Sequence, residues 1–168
     1  MRLFLTALAL ALANPALALT DPTTGSWLEL SGGGAVVGGA LAPQAELSLG
    51  AWQGPYDPSY AIGHFQGAGL TLRVAPGDAL TASASAEVRG GKDVIVVGWY
   101  RFASLGAETR DDSLGALALV GGGARFRLRP HYAVHARLEA GIGSAGGVHG
   151  QGALTLGLAW TRPWTHAD

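Results

Sequence analysis

Between Leu80 and Arg89 the chain alternates without a break: Leu80, Ala82, Ala84, Ala86 and Val88 on one side, Thr81, Ser83, Ser85, Glu87 and Arg89 on the other. Successive side chains of an extended strand point to opposite faces, so this period of two predicts a β-strand with one apolar and one polar side. The pattern recurs. Ala68, Leu70, Leu72 and Val74 alternate with Gly69, Thr71 and Arg73, and Ala124, Phe126 and Leu128 with Arg125, Arg127 and Arg129. Val134, Ala136, Leu138, Ala140 and Ile142 oppose His135, Arg137, Glu139 and Gly141, and Leu154, Leu156, Leu158 and Trp160 oppose Thr155, Gly157 and Ala159. No convincing helical segment follows residue 18.

Pairs such as Ala42-Pro43, Gly54-Pro55, Pro76-Gly77, Gly90-Gly91 and Pro130-His131 are turn formers and divide the chain into about eight runs. These lie near 26–39, 44–52, 59–74, 79–89, 94–103, 114–129, 133–143 and 150–162, with an ambiguous register at Val94–Val97, where both faces are apolar. The expected fold class is all-β, an antiparallel up-and-down barrel. An even strand count puts both termini at one end, with the connection around Arg110-Asp111-Asp112 expected to be the longest at the other end.

The residue types on each face bear on where such a barrel resides. A soluble barrel fills its interior with large apolar side chains and shows charge to water. Here the strand-borne charges are Glu29, Glu46, Arg73, Glu87, Arg89, Arg101, Arg125, Arg127, Arg129, Arg137 and Glu139, almost entirely arginine and glutamate. The only lysine, Lys92, and the aspartates from Asp57 to Asp112 fall in expected turns. Arginine suits buried ion pairs because its planar fork binds carboxylates bidentately and is weakly hydrated. These eleven residues are therefore expected to form an ion-pair network in a narrow lumen.

The opposite face should meet lipid: Leu70, Leu72, Leu80, Val88, Phe126, Leu128, Leu138, Leu154, Leu156, Leu158 and Trp160, with no charge among them. A lipid-facing arginine or lysine at mid-bilayer costs roughly 2–4 kcal/mol, and closure pairs every backbone polar group, as the bilayer demands. Inward glycines (Gly115, Gly121, Gly123, Gly141, Gly143, Gly157) fit a cramped lumen or mark bulges. Trp52, Tyr56, Tyr60, Tyr132, Trp160 and Trp164 lie near strand ends, where aromatic girdles form.

The N-terminus carries the address. Arg2, the apolar run Leu3–Ala13 and Asn14-Pro15-Ala16-Leu17-Ala18 make a secretory signal peptide over residues 1–18, with cleavage after Ala18 and a single barrel domain over 19–168. There is no cysteine, so neither a disulfide framework nor an acylated cysteine is expected. The partners implied are outer-membrane lipid and the export and barrel-assembly machinery. A net charge of −1 gives no sign of a nucleic-acid partner.

In the last strand, Thr155-Leu156-Gly157-Leu158-Ala159-Trp160 looks like the first part of the C-terminal signal of outer-membrane barrels, polar-x-Gly-x-x-hydrophobic, before Arg162 and Pro163-Trp164 depart from it. By architecture over most of its length, the chain resembles the small eight-stranded outer-membrane barrels of the OmpA transmembrane domain and OmpX type. The resemblance implies the cell outer membrane. An interior just wide enough for side chains implies a plugged lumen and a structural or surface-interaction role. A narrow porin, a lipid-modifying enzyme and a soluble exported carrier are the alternatives. For an enzyme the candidate bases are His64, His131, His135 and His149 and the candidate nucleophiles Ser59, Ser104, Ser113 and Ser144, none in a recognisable motif. No cofactor or metal is expected: no metal-ligand spacing is present, and Gly121-Gly122-Gly123 lacks the lysine and helix of a phosphate loop.

Overall fold

A computed structural model describes residues 23–54, 56–57, 62–94, 96–129 and 131–164. The expected signal peptide and its cleavage after Ala18 lie outside the described residues, as do Ser59 and Tyr60. Eight long antiparallel strands follow one another: β1 (Thr23–Val37), β2 (Ala40–Gly54), β3 (Ile62–Ala75), β4 (Thr81–Val94), β5 (Val97–Arg110), β6 (Ser113–Arg129), β7 (Tyr132–Gly143) and β8 (His149–Trp164). A two-residue segment, Tyr56–Asp57, pairs onto the start of β3. Each strand bonds to its sequence neighbour, and β8 pairs with β1 from Thr24↔Trp164 to Val37↔Gln151, which closes the sheet. The fold is a closed, eight-stranded, up-and-down barrel.

Its two ends differ. At the end away from the termini, Gly38 (φ 60°) and Gly39 (φ 89°) turn β1 into β2, and Asp111 (φ 45°) and Asp112 (φ 64°) turn β5 into β6. A two-residue hairpin of type I′ needs φ > 0 at both positions, and aspartate is one of the few side chains that tolerates it. The stretch around Arg110 is thus a tight turn and not the longest connection. The longest lies at the termini end, between Gly54 and Ile62.

Two expected breakers lie inside strands. Pro43 sits in β2 opposite Gly34, where β2 does not yet pair with β3, whose ladder starts at Ala45↔Val74. A proline lacking its N–H is tolerated on such an edge. Gly90-Gly91 also continues β4, and the turn to β5 comes after Val94. A Cβ on Gly91 would stand 2.8 Å from the Phe65 ring, so this glycine makes room inside the barrel.

Alternation sorts the side chains as the period of two requires. The outward face carries Leu30, Leu70, Leu72, Phe126, Leu128, Leu138, Leu154, Leu156 and Leu158, all strongly exposed. Leu80 is exposed just before β4, while Val88 and Trp160 are outward and half-buried. Tyr132 faces out, but Trp52 turns inward to pack on Phe65, Tyr100 and Phe102. The inward face is where the buried polar groups collect.

Candidate functional site

The middle of the lumen is a cross-braced set of three arginines and four glutamates drawn from five strands. Arg89 on β4 meets Glu29 on β1 at 2.8 Å and Glu87 at 2.7 Å. Arg73 on β3 reaches Glu139 on β7 at 2.9 Å and Glu46 on β2 at 3.3 Å. Arg137 on β7 is shared among Glu87 (2.7 Å), Glu139 (3.1 Å) and Glu46 (3.3 Å). Hydroxyl groups fill the remaining geometry: Arg73 donates to Ser85 Oγ at 2.8 Å, Arg89 to Ser48 Oγ at 3.1 Å, and Thr71 to Glu87 at 3.1 Å. All seven charged side chains are buried. Away from water a charge is tolerable only when paired, and every one of these charges has an opposite partner; Glu46 is held by ion-pair proximity alone, with neither oxygen hydrogen-bonded.

Aromatic rings brace the same cations. The Arg89 guanidinium lies 4.3 Å from the centroid of Trp27 and 4.6 Å from that of Tyr100, and Arg137 lies 3.6 Å above Phe102. Arg125 stacks on Phe65 at 4.7 Å. A desolvated cation over a ring is stabilised by about 2 kcal/mol. Glycines give these rings their space: Phe102 lies opposite Gly121 and Tyr100 opposite Gly123, where a Cβ would come within 2.7 Å and 2.6 Å of the ring atom and hydroxyl. Gly121 and Gly123 are regular ladder positions and not bulges.

Above this layer, toward the far end, Glu108 accepts from the Ala145 N–H at 3.0 Å, and Gln151 and His149 point at its carboxylate. Leu117 and Leu119 are buried on the inward face, and Ala35, Val37 and Ala153 form a small apolar cluster. At the termini end Arg125 and Arg127 converge on Asp93, at 3.4 and 3.8 Å.

Four of the sequence-selected arginines sit elsewhere than in the central braces, Arg125 among them, on Asp93 at the termini end. Arg101 is exposed on the outer surface. Tyr100 and Phe102 take the inward positions because inward glycines lie opposite them, which turns Arg101 out between the outward Gly90 and Gly122. Arg129 is exposed at the strand end, beyond a register shift between Arg127 and Arg129, and Arg127 is half-buried at the lumen mouth. Sequence reasoning also passed over Glu108 and the inward aromatics. The signal for the rings was present in the inward glycines across the ladder.

The histidines and serines do not assemble. His135 is buried in the lumen, His149 stands at the far end, His64 faces outward and His131 is in a turn. Ser144 bonds the backbone of Ala116, and among the described residues no serine hydroxyl hydrogen-bonds a histidine. Nor is there a cluster of three or more metal-ligating side chains among those residues.

A barrel with this closure and this interior defines the class: the chain has the fold of the small, closed, eight-stranded barrels known from outer-membrane structures. Among solved structures it is similar to the N-terminal β-barrel domain of Pseudomonas aeruginosa OprF, at 15% identity and a TM-score of 0.60 over 84% of this chain and 100% of that one. It is similar also to Neisserial surface protein A (NspA), at 16% identity and a TM-score of 0.56 over 84% of this chain and 99% of that one. No family model matches the chain, and no curated protein sequence does.

Proposed function

We propose that this protein is an exported barrel of the bacterial outer membrane, a closed scaffold with a structural or surface-interaction role and no catalytic one. The observation that carries the proposal is the inversion of polarity between its two faces. Ion pairs and hydroxyls fill the inside, while Leu30, Leu70, Leu138, Leu154, Leu156 and Leu158 are each more than half exposed on the outside. A soluble monomer rarely shows a contiguous apolar patch beyond a few hundred Å², and a band of leucines around a barrel suits acyl chains instead. Strands of 12 to 17 residues exceed the roughly 9–11 needed to cross. The signal peptide ending at Ala18 would deliver the chain to the export and barrel-assembly machinery.

The lumen argues for a plug. Each central arginine is held by two or more carboxylates, leaving no free column of charge to carry ions. The test is fractionation without detergent, followed by gel mobility before and after boiling and by recording in planar bilayers. The protein should sediment with outer membranes, shift on heating and show no discrete conductance. Recovery as a soluble monomer in plain buffer overturns the proposal. The convergence of Arg125 and Arg127 on Asp93 at the lumen mouth favours a second reading, a narrow anion conduit. That reading requires discrete conductance steps that change with Arg127→Glu.

A further inference from the structure

On the long strands, outward-facing charge is confined to one end and one sign. Glu29, Glu46, Glu87, Asp93, Glu108 and Glu139 all point inward, so no carboxylate of the eight long strands faces out. The outward basic groups of the ladders are His64, Lys92, Arg101, Arg129 and Arg162, all near the termini end. Three of them are neighbours. Lys92 on β4 pairs with His64 on β3 and with Trp99 on β5, and Arg101 stands two residues further along β5. Directly opposed residues have Cβ atoms about 5 Å apart and diagonal ones about 7–8 Å apart, so Lys92 and Arg101 can converge on one anion.

Two further features mark the place. Arg101 is flanked by Gly90 on one side and Gly122 on the other, both outward, so the sheet beside its guanidinium is bare backbone. Trp99, 51% exposed, borders the same notch. No side-chain hydrogen bond or ion pair joins Arg101 or Lys92 to another described residue. A cation on the apolar girth of a barrel is costly, and a long side chain relieves that by reaching to the headgroup layer. Arg101 lies four residues in from Val97, about 10 Å from the barrel end once strand tilt is allowed for, within reach of that layer.

We infer that the outer surface of β3–β5 at the termini end is a binding site for the phosphate of an anionic phospholipid, with Arg101 and Lys92 as its ligands, and with His64 and Trp99 beside Lys92 at the same height. Gly90 and Gly122 leave the phosphate room to seat. Basic residues beside a bilayer attract anionic headgroups in this way. The inference rests on the membrane reading above.

The test uses the full barrel in a neutral detergent, titrated with phosphatidylglycerol or phosphatidylcholine, with bound lipid counted by native mass spectrometry. Phosphatidylglycerol should be retained in preference to phosphatidylcholine, and excess inorganic phosphate should not displace it. Lys92→Gln combined with Arg101→Gln should weaken retention roughly tenfold or more. Arg162→Gln, on β8, should leave it unchanged. The heat-induced gel shift of each variant confirms that the barrel is folded. Equal retention of the two lipids, equal retention by the double variant, or an equal loss with Arg162→Gln overturns the site. Failure of the wild-type protein to enter vesicles of any composition would instead overturn the membrane reading.

Discussion

Replacing Arg137 by methionine removes the cation that three carboxylates share while keeping most of its volume. Its fork lies 2.7 Å from Glu87, 3.1 Å from Glu139 and 3.3 Å from Glu46, and its plane 3.6 Å above Phe102. Breaking a buried pair on one side costs about 3–5 kcal/mol, because a charge is left behind, and the lost ring contact adds up to about 2 kcal/mol. Methionine recovers part of the packing, so Arg137→Met should destabilise the barrel by about 4 kcal/mol. Arg137→Lys, which keeps charge but loses the fork and the stack, should cost roughly half as much. Adding Glu87→Gln and Glu139→Gln to Arg137→Met leaves Arg73 with Glu46 and Arg89 with Glu29, a balanced lumen. That triple variant should regain about 1–3 kcal/mol over the single one. Urea unfolding from vesicles, followed by tryptophan emission and by heat-modifiable migration, reads all three. A single variant within about 1 kcal/mol of wild type, or a triple variant weaker than the single one, would refute the account of the lumen as a charge-balanced brace.

A Cβ at Gly69 would stand 2.8 Å from the Trp27 indole, so Gly69→Ala should cost about 1–3 kcal/mol in the same urea assay. A variant retaining only Trp99 should be strongly quenched by brominated acyl chains, whereas one retaining only Trp27, 3% exposed inside the barrel, should not. Because Asp112 holds φ at 64°, Asp112→Gly should stabilise by about 0.5–1 kcal/mol, and Asp112→Val should destabilise by at least about 1 kcal/mol, read as unfolding midpoints.

Alternation made the fold legible, because a period of two survives any error in strand ends. The run read from Leu80 to Arg89 alternates in β4 as it does in the sequence, although the strand starts at Thr81 and reaches on to Val94. Where both faces carry apolar groups, as from Val94 to Phe102, the sequence offers no contrast, and nothing local shows that Arg101 faces out. Glycine and proline were read as punctuation. Gly91 instead clears space for Phe65, and Pro43 occupies a stretch of β2 with one partner. A turn former and a space-maker are the same letter, and only the facing strand tells them apart. The pairing of Arg73 with Glu139, 66 residues distant, depends on barrel closure, which no local pattern encodes.

The cross-lumen braces have a consequence for assembly. Sliding one strand past its neighbour by two residues preserves the inside–outside alternation, so hydrophobicity alone does not discriminate against it. The charges do. Arg89 meets Glu29, and Arg73 meets Glu139, only when non-adjacent strands are both at the right height. A slipped barrel would seal its surface just as well and yet trap unmatched ions within. The filled interior thus works as a key for closure, discriminating against wrong registers that inside–outside alternation alone would accept.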